Sequence, residues 1–161
     1  MKLNKYQIKL CKNIDYKFRD IEIFKKSLSH ASSSITTGVD NQRLEFLGDR
    51  VLALIISDEL LKNDPEANEG KLAPRLNVLV RKETCAEIAK HIELGHALII
   101  GKSECVSGGR RKNTILADAM EALIAAVYLD SGIEEARRVV LQLWNNRINF
   151  VEDNTFEAKS A

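Results

Sequence analysis

Apolar positions recur along most of the chain at the three- and four-residue spacing of amphipathic helices, and no segment alternates convincingly as a strand would. The expectation is an all-α fold. The pattern is clearest at Leu44-Glu45-Phe46-Leu47-Gly48-Asp49 and the apolar run from Val51 to Ile56. Read at about 100° per residue, Leu44, Leu47, Val51, Leu54 and Ile55 form one stripe, while Glu45 and Asp49, four apart, share a neighbouring face. This helix, predicted over about 42–62, has a core side and an acidic side. Phe46 projects about opposite Leu44, so its ring leaves the stripe and needs other cover, such as a second chain. Asn63-Asp64-Pro65 ends the helix, because the residue before proline is pushed out of the α region.

The same spacing organises the rest of the chain. Leu3, Tyr6, Leu10, Cys11 and Ile14 predict a helix over 3–14, and Asp20 stands as the N-cap of another over 21–30. Residues 31–42 are rich in Ser, Thr, Gly and Asn and read as a turn-rich connection. Asn68 caps a long helix predicted from Glu69 to about Ile92, interrupted in its first turns by Pro74, and Gly95 ends that segment. Residues 102–113 hold Gly108-Gly109 and the basic run Arg110-Arg111-Lys112, the composition of a mobile surface loop. A last amphipathic helix over 133–148 turns Ala136, Val139, Val140, Leu143 and Trp144 inward. Residues 1–150 thus read as one domain, and 151–161 as a polar tail or the start of a linker.

Between the basic run and the last helix lies a segment of a different kind. From Thr114 to Leu129 the chain is apolar almost all round, and its only charged residues are Asp118 and Glu121, three apart and on one face. A helix of that composition is buried, and burying an uncompensated carboxylate costs several kcal/mol. Something cationic is required there. Either a basic side chain arrives from elsewhere in the chain or a metal ion does. Glu45, Asp49, Asp118 and Glu121, four acids from two helices, are the oxygen-rich set that hard divalent cations prefer.

Composition narrows the setting. The 161 residues are 45% hydrophobic and 29% charged, an ordinary balance for a single globular unit. The formal net charge of +1 places any attraction for phosphate in local patches rather than in the chain as a whole. Cys11, Cys85 and Cys105 are widely spaced and lack a C-x-x-C, which argues against a disulfide framework or a thiolate zinc site. No apolar run approaches the ~20 residues of a membrane span, so the expected setting is cytoplasmic, with no membrane partner.

Arg43 to Leu52 (RLEFLGDRVL) resembles the signature of the ribonuclease III family, whose usual form is E-R-L-E-F-L-G-D-S-V-L. Ile115 to Asp130 (ILADAMEALIAAVYLD) is similar to that family's second acidic motif, and Asn68 to Leu72 (NEGKL) matches more weakly between them, in the expected order. The likeness runs from about Tyr6 to Asn146. Three positions depart from the pattern. Gln42 stands where the family has its first glutamate, Arg50 where it has serine, and Ala125 where glycine is common, and of these only Gln42 is expected to touch chemistry.

The resemblance implies the ribonuclease III endonuclease-domain fold, in a bacterial type that stops about where a C-terminal double-stranded-RNA-binding domain would begin. It implies a homodimeric endoribonuclease that hydrolyses phosphodiester bonds of double-stranded RNA to 5′-phosphate and 3′-hydroxyl ends, in RNA processing such as that of ribosomal RNA precursors. Glu45, Asp49, Asp118 and Glu121 would bind magnesium (Mg2+, with Mn2+ substituting), and Asp49 and Glu121 would be catalytic. Glu69 and Gln42 would support the site. Arg110, Arg111 and Lys112, just before the acidic helix, would hold phosphates of the RNA backbone, and Phe46 would lie in the dimer interface. Two other readings compete. One is a catalytically inactive RNA-binding or scaffold relative of the same fold, which Gln42 brings into play. The other is a di-iron bundle, suggested by the E-x-x-H of Glu93 to His96 but weakened because the motif occurs once.

Overall fold

The computed structural model describes residues 2–160, with side chains described through Asp153. In chain order its α-helices are α1 (Lys5–Asn13), α2 (Ile21–Ser27), α3 (Ser34–Thr37), α4 (Gln42–Asn63), α5 (Glu69–Val80), α6 (Lys82–His91), α7 (Leu94–Ala97), α8 (Lys102–Val106), α9 (Asn113–Ser131) and α10 (Ile133–Ser160). Apart from one isolated bridge between Ser29 and Ile99, the described residues contain no β-structure. The all-α expectation holds.

The axis of the fold is α9, buried from Ile115 to Val127 except at Asp118. Helices α2, α4, α6 and α10 pack around it, which is why that segment had to be apolar on every side. The closest approach is between α4 and α9. A β-carbon on Gly48 would stand 1.7 Å from the carbonyl oxygen of Glu121, so only hydrogen fits between the two backbones.

The buried arc of α4 differs from the expected stripe. Leu44, Val51 and Ile55 are buried, but so are Gly48, Leu52, Ile56 and Leu60, whereas Leu54 is 59% exposed. Leu54 lies about 80° to one side of Leu44, while Leu52 and Ile56 lie about 80° and 120° to the other, the side that α9 covers. Glu45 and Asp49, at about 100° and 140°, fall in line with Leu52 and Ile56 and therefore share that covered side.

The helix predicted over 69–92 is two helices, broken at Arg81, which is extended (φ −65°, ψ 158°). Three of the carbonyls left open at the end of α5 take a side chain. Thr84 Oγ1 donates to Val78 O at 2.6 Å, Cys85 Sγ to Val80 O at 3.7 Å, and the fully buried Trp144 donates its indole N–H to Leu79 O at 2.8 Å. Those partners stabilise a break that carries no glycine or proline.

Elsewhere the corrections are local. Asp20 caps α2 through the N–H groups of Glu22 and Ile23, as expected, but the helix stops at Ser27. There the chain extends instead, with Ile99 donating to Leu28 O and His30 to Ile99 O, both at 2.9 Å. Gly95 does not end a helix but sits inside α7, where a β-carbon would lie 2.4 Å from Arg110 O. The segment 102–113, expected as a mobile loop, forms α8 and a 3-10 turn at Gly109–Arg111. With no glycine or proline to stop it, α10 continues past Ile148 through the stretch 151–160 expected as a tail, whose side chains beyond Asp153, like residue 161, lie outside the described residues.

The α4–α9 contact gives the first prediction. Gly48→Ala should destabilise the fold by about 3 kcal/mol, since two backbones must separate to admit a methyl group. A denaturant-unfolding midpoint unchanged from wild type would contradict this packing.

Candidate metal centre

Because α4 and α9 touch at Gly48, the acids on either side of that contact converge. Ligand atoms of Glu45, Asp118 and Glu121 all lie within 4.8 Å of one another. Glu121 is 1% exposed, while the Glu45 and Asp118 side chains are about 30% exposed, so the group opens from a buried floor toward solvent. Asp49, one turn beyond Glu45, stands outside the tight group. Its Oδ2 accepts from Arg50 Nη1 at 3.2 Å, and it lies close enough to Glu121 to raise that residue's pKa.

At the centre of the group is Lys82, the first residue of α6. Its ammonium donates to Glu121 Oε1 at 2.5 Å, Asp118 Oδ1 at 2.8 Å and Glu45 Oε1 at 3.3 Å, one partner for each of its three N–H groups. This is the basic side chain from elsewhere that the buried helix required. Sequence reading missed it because a helix continuing from Pro74 to about Ile92 places Lys82 mid-helix. The available signal was the Arg81-Lys82 pair, the only basic residues at the turn that precedes Thr84-Cys85.

One ammonium does not neutralise the group. Burial, reinforced by the neighbouring Asp49, holds the Glu121 carboxyl up at about 7 even though Lys82 pulls the other way. Burial and the charge of Asp118 raise Glu45 as well. Burial opposes the charged form of Lys82, but its hydrogen bonds to Asp118 and Glu121 prevail and push it above the ordinary lysine value. Moreover Glu121 Oε2 is buried with no hydrogen-bond partner. An orphaned carboxylate oxygen on the floor of a three-acid group is a ligand atom in want of a cation, so the residues present fit a hard divalent ion.

The other expected site residues fall elsewhere. Gln42 is exposed in the first turn of α4, its N–H capped by Asp40. Glu69 lies outside the acidic group and lines an apolar groove between α4 and α5 with Leu54, Leu61, Leu72 and Leu76. Phe46 is 63% exposed, with the Arg50 guanidinium 3.9 Å from its ring centre. Arg50 therefore touches both this ring and Asp49.

The basic run divides by role. Arg110 Nη1 donates to the carbonyls of Leu98, Gly95 and His96 at 2.8, 3.2 and 3.4 Å, and Lys112 Nζ to Glu104 at 2.5 Å. These bonds hold α7, α8 and the start of α9 together. Arg111 is exposed beside them, on a cleft that also presents Lys90 and His96.

Residues 20–148 match the family model described as Ribonuclease-III-like. The chain belongs to the ribonuclease III family. It is 52% identical over its whole length to Ribonuclease 3 of Dinoroseobacter shibae, and it spans 65–70% of the length of the curated relatives it matches. Its fold matches the nuclease domain of ribonuclease III from Campylobacter jejuni, with a TM-score of 0.82 and 35% identity, covering 89% of this chain and 97% of that one. A second structure of that domain, described for flexibility in a region involved in dimer formation, also gives a TM-score of 0.82 at 35% identity over 86% of this chain and 95% of that one.

Within this family fold, Arg110 acts as a structural pin. Arg110→Ala should lower stability by about 1 kcal/mol, having left the part-buried carbonyls of Gly95 and Leu98 without a donor, whereas Arg111→Ala should change it by less than about 0.5 kcal/mol. Thermal melts of the two variants check this, and equal losses would refute the division.

Proposed function

We propose that residues 1–150 form a divalent-metal-dependent endoribonuclease domain that hydrolyses phosphodiester bonds of double-stranded RNA to 5′-phosphate and 3′-hydroxyl ends, in cytoplasmic RNA processing such as that of ribosomal RNA precursors. The observation that carries this reading is the buried, partnerless Glu121 Oε2 on the floor of the group formed with Glu45 and Asp118. Glu45, Asp118 and Glu121 would hold magnesium, or manganese in its place, with Asp49 beside Glu121 completing the set. Such an ion, when bound, supplies Lewis acidity, activating water at neutral pH and offsetting charge on the reacting phosphate.

The protein side of the mechanism is positioning. Glu121 is fixed by burial on α9 and Glu45 by α4, and Gly48 sets their separation, so the carboxylates meet the ion without reorganising. Asp49 and Glu121 are the proposed catalytic pair, with Gln42 and Glu69 in supporting places. Arg111 is the member of the basic run free to meet backbone phosphates, and Arg110 and Lys112 shape its loop. Double-stranded RNA is recognised mainly through phosphates and 2′-hydroxyls, so such contacts need read no sequence.

The second reading, a non-catalytic RNA-binding relative, draws on Gln42 and on a lysine already seated among the acids. Cleavage of a plain RNA duplex separates the two. The wild-type chain should cut in magnesium and stop in chelator, and Glu121→Gln or Asp118→Asn should lower turnover by about a hundredfold or more while leaving RNA binding intact. Either variant cutting at a near-normal rate in saturating magnesium would refute the metal assignment. A wild type that binds duplex but never cuts it would favour the scaffold.

The surface of α4 supports a homodimer. Phe46, Leu54 and Leu61 are each about 60% exposed, and the α4–α5 groove offers apolar lining for a partner's ring. Burying such side chains is worth about 1.5–3 kcal/mol each. Phe46→Ala should therefore weaken the dimer and double-strand cleavage together, with Glu45, Asp118 and Glu121 untouched. Sedimentation over a dilution series tests this, and a wild type that stays monomeric when concentrated yet cuts both strands would overturn it.

A further inference from the structure

Resting on the metal reading above, we infer that Lys82 is the resident cation of the metal-free site and that a divalent ion enters by displacing it. The ammonium sits between Glu45, Asp118 and Glu121, the same three residues whose ligand atoms crowd within 4.8 Å. An ion about 2.0–2.6 Å from oxygens of these three carboxylates and an ammonium hydrogen-bonded to all three crowd one small volume. They also repel one another. The two occupants are alternatives.

The way Lys82 reaches the site suits exchange. It is the first residue of α6, follows the extended Arg81, and its side chain is 49% exposed, so a rotation of the stem frees the ammonium without disturbing a helix. Its three donors are all spent on Glu45, Asp118 and Glu121, which leaves Glu121 Oε2 without a partner. A divalent ion brings twice the charge and coordination room for that oxygen. Lys82 thereby keeps the acids together while the site waits for metal, at the expense of metal affinity. Once released, the ammonium stands at the solvent edge of the acidic group.

The test uses metal alone, without RNA. Calorimetric titration of the full chain with Mn2+ and with Mg2+ should give a Kd about tenfold tighter in Lys82→Met than in wild type, since a competing cation is gone. The metal-free variant should melt below wild type and gain more from added Mn2+. Side-chain NMR of the wild type supplies a readout that needs no variant: the Lys82 ammonium should be ordered before Mg2+ is added and released afterwards. Equal or weaker metal binding by Lys82→Met, or a Lys82 signal unmoved by saturating Mg2+, overturns the exchange. A wild type that takes up no Mn2+ overturns the metal reading itself, and the two failures are thus distinguishable.

Discussion

Everything that brings chemistry together in this chain depends on the contact between Gly48 and the backbone of Glu121. No side chain larger than hydrogen fits there, and the closeness has two effects. It aligns Glu45 on α4 with Asp118 and Glu121 on α9, and it seals Glu121 into the floor of the resulting group. Around it the remaining helices supply cover: α6 brings Lys82, and α10 sends Trp144 to cap the open end of α5.

The electrostatics of the centre are those of an incomplete neutralisation. Three carboxylates share one ammonium, Glu121 is held up at about 7 by burial, and one of its oxygens has no partner. An unsatisfied buried atom in low dielectric is expensive. The metal-binding role proposed above would account for an acidic residue kept in this condition on the central helix. The family membership and the likeness to a nuclease domain point the same way.

Much of this was legible in the sequence, and the rest was hidden for identifiable reasons. The all-round apolarity of the segment that became α9 announced its burial, and the two acids within it announced a cation. The direction of α4 was harder. Leu54 belongs to a plausible stripe by spacing alone, but which arc is covered depends on where α9 lies, and that is a tertiary fact. Lys82 stayed out of view because the break at Arg81 is made by side chains, Thr84 and Cys85 nearby and Trp144 distant in sequence, rather than by a glycine or proline. Likewise Arg110 reads as a free charge until the carbonyls of Gly95 and Leu98 are seen beside it.

The central claim is that the group of Glu45, Asp118 and Glu121 is a metal site whose place is held by Lys82 until the metal arrives. Crystals of the chain grown with and without Mn2+ test this most directly, through anomalous scattering. The account predicts a manganese peak within about 2.2 Å of these carboxylates, with the Lys82 ammonium withdrawn from them. A map with no peak there, and Lys82 still bonded to all three acids at saturating Mn2+, would contradict it.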